Sequence, residues 1–149
     1  MLRGSVVYIY REKLKDLMEN GRITSIITSL DAGTPETFKK IKQRDMFCKV
    51  LDNLSKYPVN KTNLNLKYIF LEGVNDNETD IDGFCEIAKR FRAQIMLSSN
   101  NRALYTDRMK ALTIRLSKRA KADGIKIYAE THFTEPQDVE FINKSYANA

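Results

Sequence analysis

An α/β fold, a parallel sheet whose strands alternate with helices, is the class this sequence predicts, and three observations predict it. Short runs rich in apolar, β-branched and aromatic residues (5–10, 25–30, 66–71, 94–98 and 125–129) alternate with longer stretches whose apolar residues recur every three or four positions. The connections between them are short, as in βαβ units. The run 66–71 is apolar almost throughout apart from Lys67, which is the pattern of a strand buried on both faces of a parallel sheet. Two arrangements satisfy this alternation: an open twisted sheet with helices on both sides, or a curved part-barrel whose inner face meets another module. In either, ligands bind at the C-terminal ends of the strands, where Asp31, Asn75 and residues 98–100 fall.

Taken in order, residues 5–10 form a first strand with nothing before it to pair with, hence an exposed edge. Residues 11–20 place Leu14, Leu17 and Met18 at helical spacing and stop at Asn20-Gly21. In the next strand Ile26, Thr28 and Leu30 share one face, and Ile27, Ser29 and Asp31 the other. Gly33 suits a tight turn, Thr34 an N-cap and Pro35 the first helical position. A further helix over 46–56 buries Phe47, Val50, Leu51 and Leu54, and residues 57–65, with Pro58 and three asparagines, read as a loop. After the 66–71 strand, residues 72–77 form a turn, and Thr79 caps a helix carrying Ile81, Phe84, Cys85, Ala88 and Phe91. A strand over 94–98 precedes the longest helix, 103–123, whose stripe is Tyr105, Met109, Leu112, Leu116 and Ala120; Gly124 ends it. The strand 125–129 and a helix over 135–144 complete the chain, with residues 143–149 expected as a loose tail.

At 149 residues, 42% hydrophobic and 30% charged, the chain is read as one domain, 1–149, able to bury a core. The net charge of +6 is spread along helices and not gathered with aromatics into a stripe, which disfavours nucleic acid. The basic residues of the 103–123 helix lie mostly off its apolar stripe and read as a solvated face. Two distant cysteines make neither a metal spacing nor a disulfide framework and fit a reducing compartment; both read as packed thiols. With no apolar run of membrane length and no signal-type segment, the expectation is a cytoplasmic protein without a membrane partner.

Ser29 and Asp31 are the strongest candidate pair, because two polar residues at the end of an apolar strand can offer acceptors to hydroxyls or an ammonium group; a local turn explains the same Asp. Asn75 and Asp76 after Gly73 carry the same ambiguity. Lys67 either projects into the barrel toward a carboxylate or snorkels at the sheet's margin. Ser98 lies at a strand's C-terminal end, and His132, the single histidine, reads as a surface residue. No phosphate loop, H-E-x-x-H or nucleophile elbow is present, so hydrolase and kinase chemistry have no support.

The strand and turn ending in Ser29, Leu30 and Asp31, joined to residues 66–76, resembles the radical S-adenosylmethionine (radical SAM) superfamily over roughly residues 11–100. The resemblance implies the C-terminal part of a partial TIM-like barrel of about five strands. It implies S-adenosylmethionine contacts from Ser29 and Asp31, with Asn75, Lys67 and Ser98 bordering the cofactor, and no catalytic or metal residues of its own. The family's Cys-x3-Cys-x2-Cys motif is absent, Cys48 and Cys85 being too far apart to match it. A 4Fe-4S cluster is therefore expected only if a missing N-terminal half supplies it, S-adenosylmethionine binding is expected to be weak, and activity from this chain alone is not expected. The alternative is a non-catalytic binding or regulatory domain on the same scaffold. A cut barrel also predicts association, with the missing half or with a second copy, through the open edge and an inner face lined by Ile27, Ile69 or Phe70, and Ile95 or Leu97.

Overall fold

The computed structural model describes residues 2–3, 8–59, 62–100 and 105–149. The strands β1 (Leu2–Arg3), β2 (Ser25–Ser29), β3 (Asn63–Phe70), β4 (Gln94–Ser99) and β5 (Ile127–Ala129) pair in parallel, side by side in chain order. Between and after them run α1 (Glu12–Glu19), α2 (Pro35–Lys42), α3 (Phe47–Ser55), α4 (Glu78–Phe91), α5 (Asp107–Ala122) and α6 (Pro136–Ala147). The α/β class with a parallel sheet is thus the observed one.

The strand order decides between the two expected arrangements. Doubly wound sheets reverse order part-way, which sends helices to both faces. Here the order never reverses, and crossovers of one hand then place every helix on the same side. The burial follows that rule. Ile26, Leu64, Leu66, Tyr68, Phe70, Ile95, Leu97, Ile127 and Ala129 alternate along the strands on one face and join Met18, Phe38, Phe84 and Leu116 of the helices in one core. Tyr68 meets Phe84 of α4 edge-on at 4.8 Å.

The opposite face carries Ser25, Ile27, Ser29, Asn65, Lys67, Ile69, Met96, Ser98 and Tyr128, and none of these belongs to the helix-packed core. On this face the Tyr128 hydroxyl of β5 reaches across β4 and donates to Asn65 Oδ1 of β3 at 2.8 Å. This inner face differs from the expected apolar one. Phe70, Ile95 and Leu97 take the helix side, and the inner apolar residues are Ile27, Ile69 and Met96. Ile27 and Met96 are only 9% and 7% exposed, although both lie outside the helix-packed core.

Several boundaries depart from expectation. Tyr8–Tyr10 is not strand, because Tyr8 and Tyr10 turn to pack on Phe38 and Tyr57; residues 4–7 lie outside the described residues. The loop expected over 57–65 already pairs with β2 from Asn63. Asn77, not Thr79, caps α4, its side chain accepting from Asp80 N–H at 2.9 Å. Helix α5 begins at Asp107 because Thr106 caps it, and Tyr105 instead packs against Phe70; residues 101–104 lie outside the described residues. The expected tail is largely helix: α6 runs to Ala147, and Lys121 Nζ donates to the Tyr146 and Ala147 carbonyls that would otherwise fray. The arginines of α5 are not simply solvated. Arg115 pairs with Glu78 and Asp82, and Arg119 with Asp82 and Glu86, on successive turns of α4. At the far edge, the Ala129 N–H donates to Asn143 Oδ1 of α6, which shields β5, while β1 has no strand beyond it among the described residues.

Candidate functional site

Past Ser29 the chain leaves the ladder. The N–H groups of Leu30 and Asp31 both donate to the Lys67 carbonyl, and Asp31 takes a left-handed conformation, φ 59°. Asp is among the few side chains that tolerate this region. The left-handed residue of this turn is therefore Asp31 and not Gly33. Gly33 serves a close approach: a Cβ there would lie 1.9 Å from the Asp80 carbonyl oxygen, and one on Gly83 would lie 2.4 Å from the Gly33 carbonyl oxygen. The turn sits on the α4 backbone and is fastened by buried Asp80, which accepts from the Gly33 N–H at 3.0 Å and from the hydroxyls of Thr34 and Thr37. Thr34 caps α2 with Pro35 after it, as the sequence suggests.

Asp31, 3% exposed, is occupied. Oδ1 accepts from the Ile69 N–H at 2.9 Å and Oδ2 from Lys42 Nζ at 2.5 Å, the lysine reaching over from the last turn of α2. Burial pushes the Asp31 carboxyl up from its ordinary value, and Lys42 opposes that rise. Asn75 is committed throughout: Oδ1 accepts from Leu71 N–H, and Nδ2 donates to the carbonyls of Asp31 and Ile69, each at 2.7 to 2.8 Å. Its backbone carbonyl accepts from the Tyr68 hydroxyl at 2.6 Å. Asn75 joins the ends of β2 and β3 and keeps no free polar side-chain atom.

Ser98 is buried, donating to the Ser99 carbonyl at 2.9 Å and accepting from the Thr134 hydroxyl at 3.4 Å. Lys67 lies beside Ser29 in the register and faces inward. Its ammonium is 3.9 Å from Glu130 Oε2 and 5.3 Å from the centre of the Phe133 ring, so the inward alternative for Lys67 holds. Of the candidates, Ser29, Asp31 and Lys67 come together at one rim, Asn75 braces it from below, and Ser98 is sealed into the turn after β5.

Sequence reasoning missed Lys42, Asp80 and Glu130, whereas His132 is the exposed surface residue it expected. The first two act across 11 and 47 residues, where no spacing rule reaches. A local sign existed for Glu130, which stands two residues before His132 at a strand end, and their side chains meet at 3.1 Å.

Among the described residues no three His, Cys, Asp or Glu side chains converge as a metal site. Cys48 is exposed on α3 and Cys85 is buried in α4, where burial raises its thiol pKa. These residues do not fit an iron–sulfur cluster. No helix among the described residues is long and apolar enough to cross a membrane.

The fold is similar to the crystal structure of a radical SAM methyltransferase from Sphaerobacter thermophilus, at a TM-score of 0.54 and 17% sequence identity over 71% of this chain. The match takes in 33% of that protein, so the chain spans about a third of its length. No protein-family model matches the chain, and no curated protein does. The likeness is one of fold.

Proposed function

We propose that the chain is a portion of a radical-SAM-type barrel that contributes S-adenosylmethionine contacts from the inner rim while other strands, of the same polypeptide or another, supply the iron–sulfur cluster. One observation carries this reading. The strands run from β1 to β5 without a reversal of order, and the helices of the described residues pack on one face of the sheet, as in a barrel wall and unlike a doubly wound sheet, which carries helices on both faces. The likeness to a third of a radical SAM methyltransferase supports the same reading. Ser29 and Lys67 have capacity to meet a ligand, and Asp31 gains it if Lys42 gives way. S-adenosylmethionine would bring the sulfonium leaving group of that chemistry; these residues would orient its polar groups.

A second reading, a binding domain that keeps the scaffold without the reaction, is favoured by the internal pairing of Asp31 and Asn75. Titrating the chain with S-adenosylmethionine by NMR separates the two. Without a cluster, affinity near the millimolar range is expected, roughly −4 kcal/mol. Shifts at Ser29, Asp31 and Lys67 support the first reading, and their absence at saturating ligand favours the second.

A further inference from the structure

At the C-terminal rim one buried carboxylate is shared by an imidazole and an ammonium. Glu130 is 5% exposed and continues the ladder past β5, its N–H donating to the Leu97 carbonyl at 2.8 Å. Oε1 accepts from the His132 N–H at 3.0 Å and lies 3.1 Å from His132 Nδ1. Oε2 accepts from the Phe133 N–H at 2.9 Å and faces Lys67 Nζ at 3.9 Å. The turn is held from the other end as well, Ser99 Oγ donating to the Phe133 carbonyl and the Ser99 N–H to Thr134 Oγ1.

Burial raises the Glu130 carboxyl, but the N–H groups of His132 and Phe133, with Lys67, bring it below its ordinary value. An ionised carboxylate only accepts, so the ring nitrogen facing it carries the proton and Nε2 keeps a lone pair. The imidazole is 69% exposed, which leaves Nε2 open to a ligand. Lys67 has three donors, yet its side chain is only 13% exposed and it makes no hydrogen bond to the described residues; its neighbours are Glu130 and the face of the half-exposed Phe133 ring.

We propose that Lys67, Glu130, His132 and Phe133 form a proton-accepting site for a small organic acid. Lys67 holds the acid's carboxylate, Phe133 offers a ring face, and His132 Nε2 accepts a proton from an O–H or N–H of the bound molecule. That O–H or N–H bond breaks with its electron pair left on oxygen or nitrogen, and an N–H bond forms at Nε2. Glu130 is the positioning residue, setting the tautomer and stabilising the imidazolium; the balance needs no redox partner. The proposal rests on the barrel reading only in taking this rim as the ligand end, and neither S-adenosylmethionine nor a cluster enters its test.

His132 is the only histidine, so its ring signals are unambiguous in NMR of the full chain. At alkaline pH, once the ring signals no longer move with pH, the ring nitrogen shifts should report Nδ1–H with Nε2 unprotonated. Benzoate, used as the probe, should shift the His132 and Phe133 ring signals, and Lys67→Met should weaken that response at least tenfold while leaving the tautomer unchanged. Glu130→Ala should move the proton toward Nε2; if that variant does not fold, the wild-type tautomer and Lys67→Met carry the test. An Nε2–H tautomer in the wild type, no response to tens of millimolar benzoate, or a response that survives Lys67→Met overturns the proposal.

Discussion

Replacing Lys42 by Met should destabilise the protein strongly at neutral pH and less in acid. Lys42 Nζ contacts Asp31 Oδ2 at 2.5 Å, and the carboxylate is 3% exposed. Removing one partner of a fully buried pair costs about 3–5 kcal/mol. The loss here is smaller, because the Lys42 side chain is 21% exposed and Asp31 Oδ1 keeps the Ile69 N–H; about 2–3 kcal/mol is expected. For a chain of this size that lowers Tm by roughly 5–10 °C. The pH dependence follows from the raised carboxyl of Asp31. A group whose pKa is raised on folding adds its full stability below the unfolded value, about 3.9, and loses it as pH rises through the folded value. Taking away Lys42 raises the folded value further, so the penalty should be smallest near pH 4 and grow as pH rises through the folded values. Asp31→Asn should cost less than about 1 kcal/mol, since Asn tolerates the left-handed backbone and its amide oxygen can accept from Ile69. The double variant should then suppress most of the Lys42→Met loss. Urea unfolding of the four proteins at pH 4 and 7 measures this cycle. A Lys42→Met penalty below about 0.5 kcal/mol at pH 7, or one equal at both pH values, would refute the reasoning.

Three further outcomes are expected. Gly33→Ala sets a Cβ 1.9 Å from the backbone oxygen of Asp80, which has no side chain to swing aside, so a loss of about 3 kcal/mol or failure to fold should appear in circular-dichroism melts. Asp82, held at about 2 by Arg115 and then Arg119, adds stability above about pH 4 that is lost as pH falls toward 2. Asp82→Asn should flatten that part of the acid-unfolding curve at a neutral-pH cost below about 1 kcal/mol, as befits a surface pair. Light scattering should find a dimer or larger species through the open β1 edge, and a monomer at high concentration would mean that this edge is protected.

Much of the fold was legible because it is written in local signals. From β2 onward the strand and helix alternation, the Thr34-Pro35 helix start and the Gly21 and Gly124 stops read correctly from neighbours a few residues apart, whereas the strand expected over 5–10 is not one at Tyr8–Tyr10. What failed depends on distant partners. Gly33 looked like a turn glycine and proved to be a contact glycine, because Asp80 and Gly83 are invisible from residue 33. The period of two could not say which of Ile69 and Phe70 faces inward, since both are apolar; that is set by register with β4. At the site, the rim position of Ser29, Asp31 and Lys67 was readable from strand ends, whereas the occupation of Asp31 by Lys42 and the Glu130–His132 contact emerge only when the elements pack.

The central claim is that one face of the sheet lies under helices and the other does not, and thiol reactivity at two adjacent residues of β2 tests it most directly. In a Cys48→Ala background, with Cys85 buried, Ser29→Cys places a thiol on the inner face and Thr28→Cys places one in the helix-packed core. Measured at dilutions where light scattering shows a monomer, Ser29→Cys should react at least a hundredfold faster than Thr28→Cys, whose exposure requires local unfolding of a core strand. Equal protection of the two thiols would mean that the chain covers its own inner face, and the part-barrel account would be contradicted.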